Sequence, residues 1–473
     1  MYWEDWLLVF YLVVLTLGSV VFVTDSVREK EVRALRIGLM SLLGAVILLA
    51  LVYLARQGLL LERLRPLVDL VDALATAGAV VAVVPLGRNP AARNGTAAYV
   101  VGEVERFDER DQVFARIRSL RPGEREYASY YEAHPERKDA DDRRRAMGGP
   151  LGRPGSIDRH NRTNLAAFYA LSSFPLLMGR EEVYAPPPAR ERVEMAPQAL
   201  SAKVKGFARH VGADLVGITR LNPAWVYSHR GEIFFDNWGD WGRENRSDHP
   251  WAVVVATEMD REMVMARPHS PALLESMRNY GRGAVITTHL AAFLARLGYR
   301  ATAHHFRHYD LLLVPVAVDA GLGEMGRNGY LITREFGPRV RLAAVTTDAP
   351  LAPDAPVDIG IQHFCRHCRK CAVLCPSRSI SAGDPEVKNG TRRWILNADS
   401  CSAYWARVGT DCSVCMAVCP WSHPRTFTHR VGSHLATRSA PARRLLIRAD
   451  DLVYGNYRGR WYGPAWCDYR DEA

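Results

Sequence analysis

The feature that most limits what this chain can become is "CRHCRKCAVLCP", Cys365 to Pro376, in which four cysteines follow a C-x2-C-x2-C-x3-C spacing and end on proline. A second group follows: Cys401, then "CSVCMAVCP" with Cys412, Cys415 and Cys419, again closed by proline. Eight of the nine cysteines therefore lie between Cys365 and Cys419, and Cys467 stands apart. A disulfide scaffold distributes its cysteines through a short secreted chain, whereas this chain has 473 residues. Thiolates this dense imply bound metal.

The run is the one that holds a [4Fe–4S] cluster in bacterial ferredoxins, where three close thiolates meet one cube and the fourth reaches the other. By that analogy Cys365, Cys368, Cys371 and Cys419 bind one cluster, and Cys375, Cys401, Cys412 and Cys415 bind a second. Zinc sites use two separated cysteine pairs per ion, which fits the paired C-x3-C-P endings less well. Cys467 reads as a semi-buried thiol outside the ligand set.

The N-terminus has a different character. Leu7 to Val23 and Ile37 to Ala55 carry no charge, and each approaches the roughly 20 apolar residues that cross a bilayer. The acidic, aromatic start "MYWEDW" is unlike a cleaved secretory signal. Leu67 to Leu86 is a third candidate span, with Asp69 and Asp72 in its first turns. A charge at mid-bilayer costs about 2.5–3.5 kcal/mol and much less near the interface. Arg28, Lys30, Arg33 and Arg36 lie between the first two apolar segments, so that loop is expected on the cytoplasmic side. Three spans return the rest of the chain to the cytoplasm. The expectation is a multi-pass protein of the inner (cytoplasmic) membrane, with lipid as a partner and the catalytic domain on the cytoplasmic side.

Beyond the anchor, "GGPLGRPGS" (148–156) and "APPPARER" (185–192) read as loops. "ALSAKVKGFARHVGA" reads as a helix, and Ile286, Leu290, Phe293, Leu294 and Leu297 recur at helical spacing with Gly298 as a stop. "DLVGIT", "AVVVATEM" and "LLLVPVAV" (311–318) read as buried strands. Helices alternating with strands imply a layered α/β domain. The formal charge of +10 is scattered arginine with interleaved acids. No basic stripe or nucleic-acid motif is present, so nucleic acid is not an expected partner. No G-x-G-x-x-G follows a strand, and no D-x-H-x-x-G occurs. The residue patterns alone leave the electron acceptor unnamed.

Several stretches in the second half resemble the corrinoid-dependent reductive dehalogenases. They are "GADLVGITRLNPAWVYS", "AVVVATEMD", "AAFLARLGYRA", "PVAVDAGLGEMGRNGYLIT" and "FGPRVRLAAVTTDAPL", leading into the cysteine groups. "RFDERDQVFARIRSLRPGEREYASYYEAHPE" upstream is also similar to that family, and "YWEDWLL" with its apolar spans resembles the family's small membrane-anchor subunit. The resemblance implies an α/β fold of this order: N-terminal transmembrane helices, a nitroreductase-like corrinoid-binding α/β domain and a two-[4Fe–4S] ferredoxin-like domain. The expected boundaries are 1–90 for the anchor, 91–199 for a polar family-specific region, 200–355 for the corrinoid-binding core, 356–425 for the clusters and 426–473 for a C-terminal extension. Epoxyqueuosine reductases share the core and the cysteine layout, including elements like "CSAY" and "CPW". They are smaller, soluble and without the FDERD segment. A non-catalytic membrane-bound electron carrier is the alternative from another class.

The resemblance implies two [4Fe–4S] clusters and a base-off, cobalamin-type corrinoid that receives electrons singly. It also implies an organohalide substrate and an electron donor of quinol, ferredoxin or flavodoxin type. Carbon–halogen cleavage leaves a carbon that needs a proton, and hence an acid. Tyr280, nineteen residues before Tyr299 of "LGY", matches the family's catalytic tyrosine. Arg341, the last arginine of "GPRVR", matches its basic partner; a nearby cation stabilises phenolate. Gly321, Gly323 and Arg327 in "GLGEMGRNG" are candidate cofactor contacts, because glycine allows close backbone approach. Respiratory members carry an asparagine after the "GY" element. Here the stretch is "RATAHHFRHYD", so His304, His305 or His308 is expected near the substrate pocket.

Overall fold

The computed structural model describes residues 3–56, 65–87, 89–147, 162–233, 238–455 and 463–470. The chain divides into two compact units. One comprises Met1–Asn89, Gln362–Cys368 and His423–Arg458; the other comprises Pro90–Ile361, Arg369–Ser422 and Gly459–Ala473.

In the first unit, helices α1 (Trp3–Arg28) and α2 (Val32–Arg56) pair through a tight turn that places Lys30 at φ 57°. Leu and Val dominate α1 and Leu dominates α2, and their large side chains point outward: Leu17 is 61% exposed, Met40 72% and Leu43 62%. Among the described residues these two helices are long and apolar enough to cross a membrane. The third apolar segment also forms a helix, α3 (Arg65–Val83), which carries Asp69 and a buried Asp72.

The C-terminal helices α7 (Phe427–Arg438) and α8 (Ala440–Tyr454) belong to this unit too. Asp25 of α1 accepts from the Thr428 backbone N–H at 2.9 Å and from its hydroxyl at 2.8 Å. Arg33 Nε donates to the Leu452 carbonyl at 3.0 Å, and Arg443 donates to the Gly87 carbonyl at 2.9 Å. His429 Nε2 lies 3.1 Å from Glu29 Oε1, while Thr426 donates to the same oxygen at 3.0 Å. Buried polar groups paired this way avoid the desolvation cost of being left alone.

The second unit is built on a four-stranded antiparallel sheet: β1 (Leu215–Arg220), β2 (Trp251–Glu258), β3 (Ala301–His304) and β4 (Val340–Thr347), in the order β1-β2-β4-β3. Strand alternation sends Val253, Val255, Ala343 and Val345 to one face, where α4 (Pro197–His210) and α5 (Ser270–Arg296) cover them with Leu200, Val204, Ile286, Leu290 and Leu294. Ala252, Val254 and Ala344 pack on the other face against Val316, Ala317 and Val318. Coverage on both faces explains why β2 reads as an unbroken apolar run.

Three sequence expectations meet their elements here: "DLVGIT" is β1, "AVVVATEM" is β2, and Gly298 ends α5 at φ +85°. "LLLVPVAV" does not form the expected strand. It folds as helix α6 (Leu313–Asp319), because a short continuous apolar run has no period to separate strand from helix. The polar region before the core is folded, with helices at Arg125–Ala133, Pro135–Ala146 and Arg162–Leu177. It uses ring packing of Tyr127, Tyr130 and Tyr131 and a buried Arg116–Asp141 pair at 2.8 Å. "APPPARER" is irregular as expected; "GGPLGRPGS" begins at the edge of the described residues and lies outside them.

Candidate active site and iron–sulfur ligands

Helix α5 supplies the first half of the site. Ser276 and Tyr280 are four residues apart and share a helix face. Strand β4 supplies the second half. Arg341 lies opposite Thr257 of β2, with its guanidinium carbon 5.3 Å from the Tyr280 ring centroid. Arg341 Nη2 donates to Ser276 Oγ at 2.7 Å and lies 3.5 Å from Asp411 Oδ2. Burial opposes the charge on Arg341, but Tyr280, Asp411 and Tyr330 around it outweigh that cost and hold its pKa above the ordinary arginine value. Burial likewise lifts the Asp411 carboxyl, with Arg341 pulling it back. The sequence-predicted pair Tyr280–Arg341 is therefore together in space, inside a shell that includes Ser276 and Asp411. Asp411 directly precedes a cysteine ligand candidate, and Ser276 is one turn before Tyr280. Those positions were the available signals for both.

The histidines of "AHHFRH" are held differently. His305 and His308 exchange backbone hydrogen bonds of 2.6 and 2.9 Å, closing a tight turn with Phe306 and Arg307 at its tip. His304 Nδ1 accepts from the Asp310 N–H at 3.2 Å, and its Nε2 donates to Thr346 Oγ1 at 3.0 Å. His305 Nε2 donates to the Met178 carbonyl at 3.0 Å. Burial pushes both imidazoles down to about 4, so both are neutral near pH 7. His308 accepts from Arg230 at 3.1 Å and stacks on Tyr184 with ring centroids 3.6 Å apart. The residue of this turn that meets Tyr280 is Phe306, whose ring stacks on it at 4.4 Å and 12°. Sequence reasoning singled out its histidine neighbours and passed over Phe306.

The glycine-rich segment packs closely against the chain's own backbone. A Cβ at Gly321 would strike the Ala355 carbonyl, and one at Gly323 the Ile332 carbonyl. Arg327 is buried, donates to the Ser381 and Gly383 carbonyls at 2.7 and 2.8 Å, and lies over the Trp394 ring at 4.6 Å.

The two cysteine groups repeat a backbone device. Arg369 (φ 55°) precedes the turn Lys370–Val373 that carries Cys371, and Ser413 (φ 50°) precedes the turn Val414–Ala417 that carries Cys415. Cys365 and Cys368 lie one turn apart on the helix Ile361–Cys368. Burial raises the Cys415 thiol well above its usual value, and the charges of Cys412, Cys371, Cys401 and Cys375 add to that. Such crowding of thiolates is unfavourable without a cation and is relieved by bound iron, so this donor set fits a cluster. Ser379 N–H donates to Cys375 Sγ at 3.3 Å, the kind of contact that tunes a cluster's potential. Beside Tyr280, buried Arg341 Nε has no hydrogen-bond partner among the described residues. An open donor at that point suits a site that receives a further polar group.

An α/β core joined to two cysteine groups of this form defines an iron–sulfur protein, and residues 364–423 match the 4Fe-4S dicluster domain family. A tetrachloroethene reductive dehalogenase of Dehalobacter restrictus is 35% identical over 283 residues, covering 50% of this chain and 50% of the relative. Two solved structures are similar to this chain, each with a TM-score of 0.61. A catabolic reductive dehalogenase in complex with 3-bromo-4-hydroxybenzoic acid is 26% identical and covers 80% of this chain and 50% of its own. A reductive dehalogenase whose structure suggested a mechanism for B12-dependent dehalogenation is 28% identical, covering 77% and 49%. An epoxyqueuosine reductase of Lactococcus garvieae matches more weakly, 28% identical over 32% of this chain. Sequence and structural relatives together support the reductive dehalogenase family. The chain spans about half the length of the curated relatives it matches first.

Proposed function

We propose that this chain is a reductive dehalogenase that replaces a carbon-bound halogen with hydrogen. The balance is R–X plus two electrons and one proton giving R–H and halide. Electrons enter singly through two [4Fe–4S] clusters, one on Cys365, Cys368, Cys371 and Cys419, the other on Cys375, Cys401, Cys412 and Cys415. A base-off corrinoid, when bound, supplies the reduced metal centre for carbon–halogen cleavage. The B12-dependent solved relative supports that assignment. Tyr280 holds the proton at its phenol oxygen. Arg341 stands beside it to stabilise the phenolate left after transfer, and Asp411 with Ser276 fixes Arg341.

The observation that carries this reading is the meeting of Tyr280, Arg341 and Asp411 in one buried shell that also feels the charge of Cys415. Proton source and electron entry then serve the same carbon. The two apolar N-terminal helices support a membrane-anchored protein with lipid as partner. The arginines between them favour a cytoplasmic catalytic domain. A quinol, a ferredoxin or a flavodoxin would supply electrons.

The test is anaerobic purification in detergent, followed by metal analysis and a halide-release assay with reduced methyl viologen. The substrates are tetrachloroethene and 3-bromo-4-hydroxybenzoate, as handled by the relatives. About eight irons and about one cobalt per chain are expected; a bare electron carrier would hold no cobalt. Tyr280→Phe should lower turnover by at least about 10²-fold, with cluster and cobalt spectra unchanged. Full activity in that variant removes Tyr280 as the acid.

A further inference from the structure

We infer that Phe306 is a positioning residue for the proposed acid: its ring is the stop that fixes where the Tyr280 hydroxyl stands. This rests on the reading of Tyr280 as proton donor. Three observations carry it.

The first is the stack itself. The two rings are stacked, with centroids 4.4 Å apart and planes 12° from parallel. A tyrosine on a helix has two favoured χ1 wells, and moving between them carries the hydroxyl several ångströms. A ring laid flat against Tyr280 obstructs that swing. The second is that Phe306 is itself held. Arg307 places its guanidinium carbon 4.3 Å from the Phe306 centroid. The turn that carries both residues is closed by the paired His305 and His308 backbone bonds. Buried, neutral His305 pins the turn to the Met178 carbonyl, and His308 stacks on Tyr184. The third is that Arg341 does not do the same work. It engages Ser276 and Asp411 and stands 5.3 Å from the Tyr280 centroid, so it sets the electrostatics of the phenol more than its orientation.

The four aromatic and cationic groups thus form a ladder, Arg307 on Phe306, Phe306 on Tyr280, and Tyr280 beside Arg341. The histidines serve as its struts. The chemistry passes through Tyr280 alone, and Phe306 acts through it. Misplacing a reacting group by about 1 Å costs on the order of 10²-fold in rate.

The experiment compares Phe306→Ala, Phe306→Tyr and Tyr280→Phe in the full chain, purified anaerobically in detergent. Each is assayed for halide release with reduced methyl viologen. Iron content, cobalt content and the cluster spectra report whether each variant is properly assembled. Phe306→Ala should lose about 10- to 100-fold in kcat with KM changed less than about threefold, because orientation is lost and binding is not. Phe306→Tyr keeps a ring to stack and should stay within about threefold of the parent in kcat. Parental kcat in an assembled Phe306→Ala, beside an inactive Tyr280→Phe, overturns the inference and leaves the proton-donor reading standing. Equal losses in Phe306→Ala and Phe306→Tyr also overturn it, since the ring would then not be what matters. Full activity in Tyr280→Phe removes both.

Discussion

The shell around Tyr280 and the turn from His304 to His308 are neighbours in the same unit, and both contain buried titratable groups. They handle them in opposite ways. Around Tyr280, Arg341 is held in its charged form, with Asp411 3.5 Å away and Ser276 shared between them. In the turn, His304 and His305 give up charge altogether, each donating one N–H and accepting one. Buried charge is retained where an ionic partner is built in, and it is costly enough that such a place is a candidate for chemistry. Buried neutrality marks scaffolding.

That contrast can be broken experimentally, and the largest effect is expected at Asp411. Asp411→Asn leaves the Arg341 charge buried without its carboxylate, at a cost of about 3–5 kcal/mol in stability. Urea unfolding of the assembled protein measures it, and a loss below about 1 kcal/mol would mean that Arg341 finds its compensation elsewhere. Next in size is pH. The unfolded chain protonates His304 and His305 below about 6.5, whereas the folded chain keeps them neutral down to about 4. Stability is therefore full above the unfolded pKa and falls as pH drops from about 6.5 towards 4, by on the order of 3 kcal/mol per histidine. His304→Gln, which carries no proton switch, should flatten that slope. An identical slope in the variant assigns the acid sensitivity to other groups. Arg341→Lys keeps the charge and loses the planar fork, so turnover should fall about 10-fold while the cluster spectra stay unchanged. The smallest effect belongs to His305→Gln. An amide can replace its bond to the Met178 carbonyl, and halide release should stay within about threefold of the parent. A loss comparable to that of Tyr280→Phe would move His305 from scaffold to chemistry.

Much of the metal-binding region was legible because its ligands are local: four thiols within a dozen residues need no tertiary information. The long helix α5 and the strands β1 and β2 were legible from period and β-branched content. Residues 311–318 were not, since a continuous apolar run carries no direction. Tyr280 and Arg341 emerged only by resemblance to a family, because sixty residues of chain separate them and only the packing of α5 on the sheet unites them. Phe306 lacked even that cue, and Asp411 offered only its place beside a cysteine. Nothing in "HHFRH" distinguishes the ring that faces the tyrosine from the histidines that prop it, and nothing in "TDC" marks the aspartate as the partner of an arginine on a strand.

The pairing of the first helices with the last ones has a practical corollary for anyone who wishes to crystallise or secrete this molecule. Removing residues 1–89 would not simply trim off a greasy leash. It would also strip Asp25 from Thr428, Arg33 from Leu452 and Gly87 from Arg443, leaving helices α7 and α8 with severed polar sockets. A version without α1 to α3 would need α7 and α8 redesigned with it.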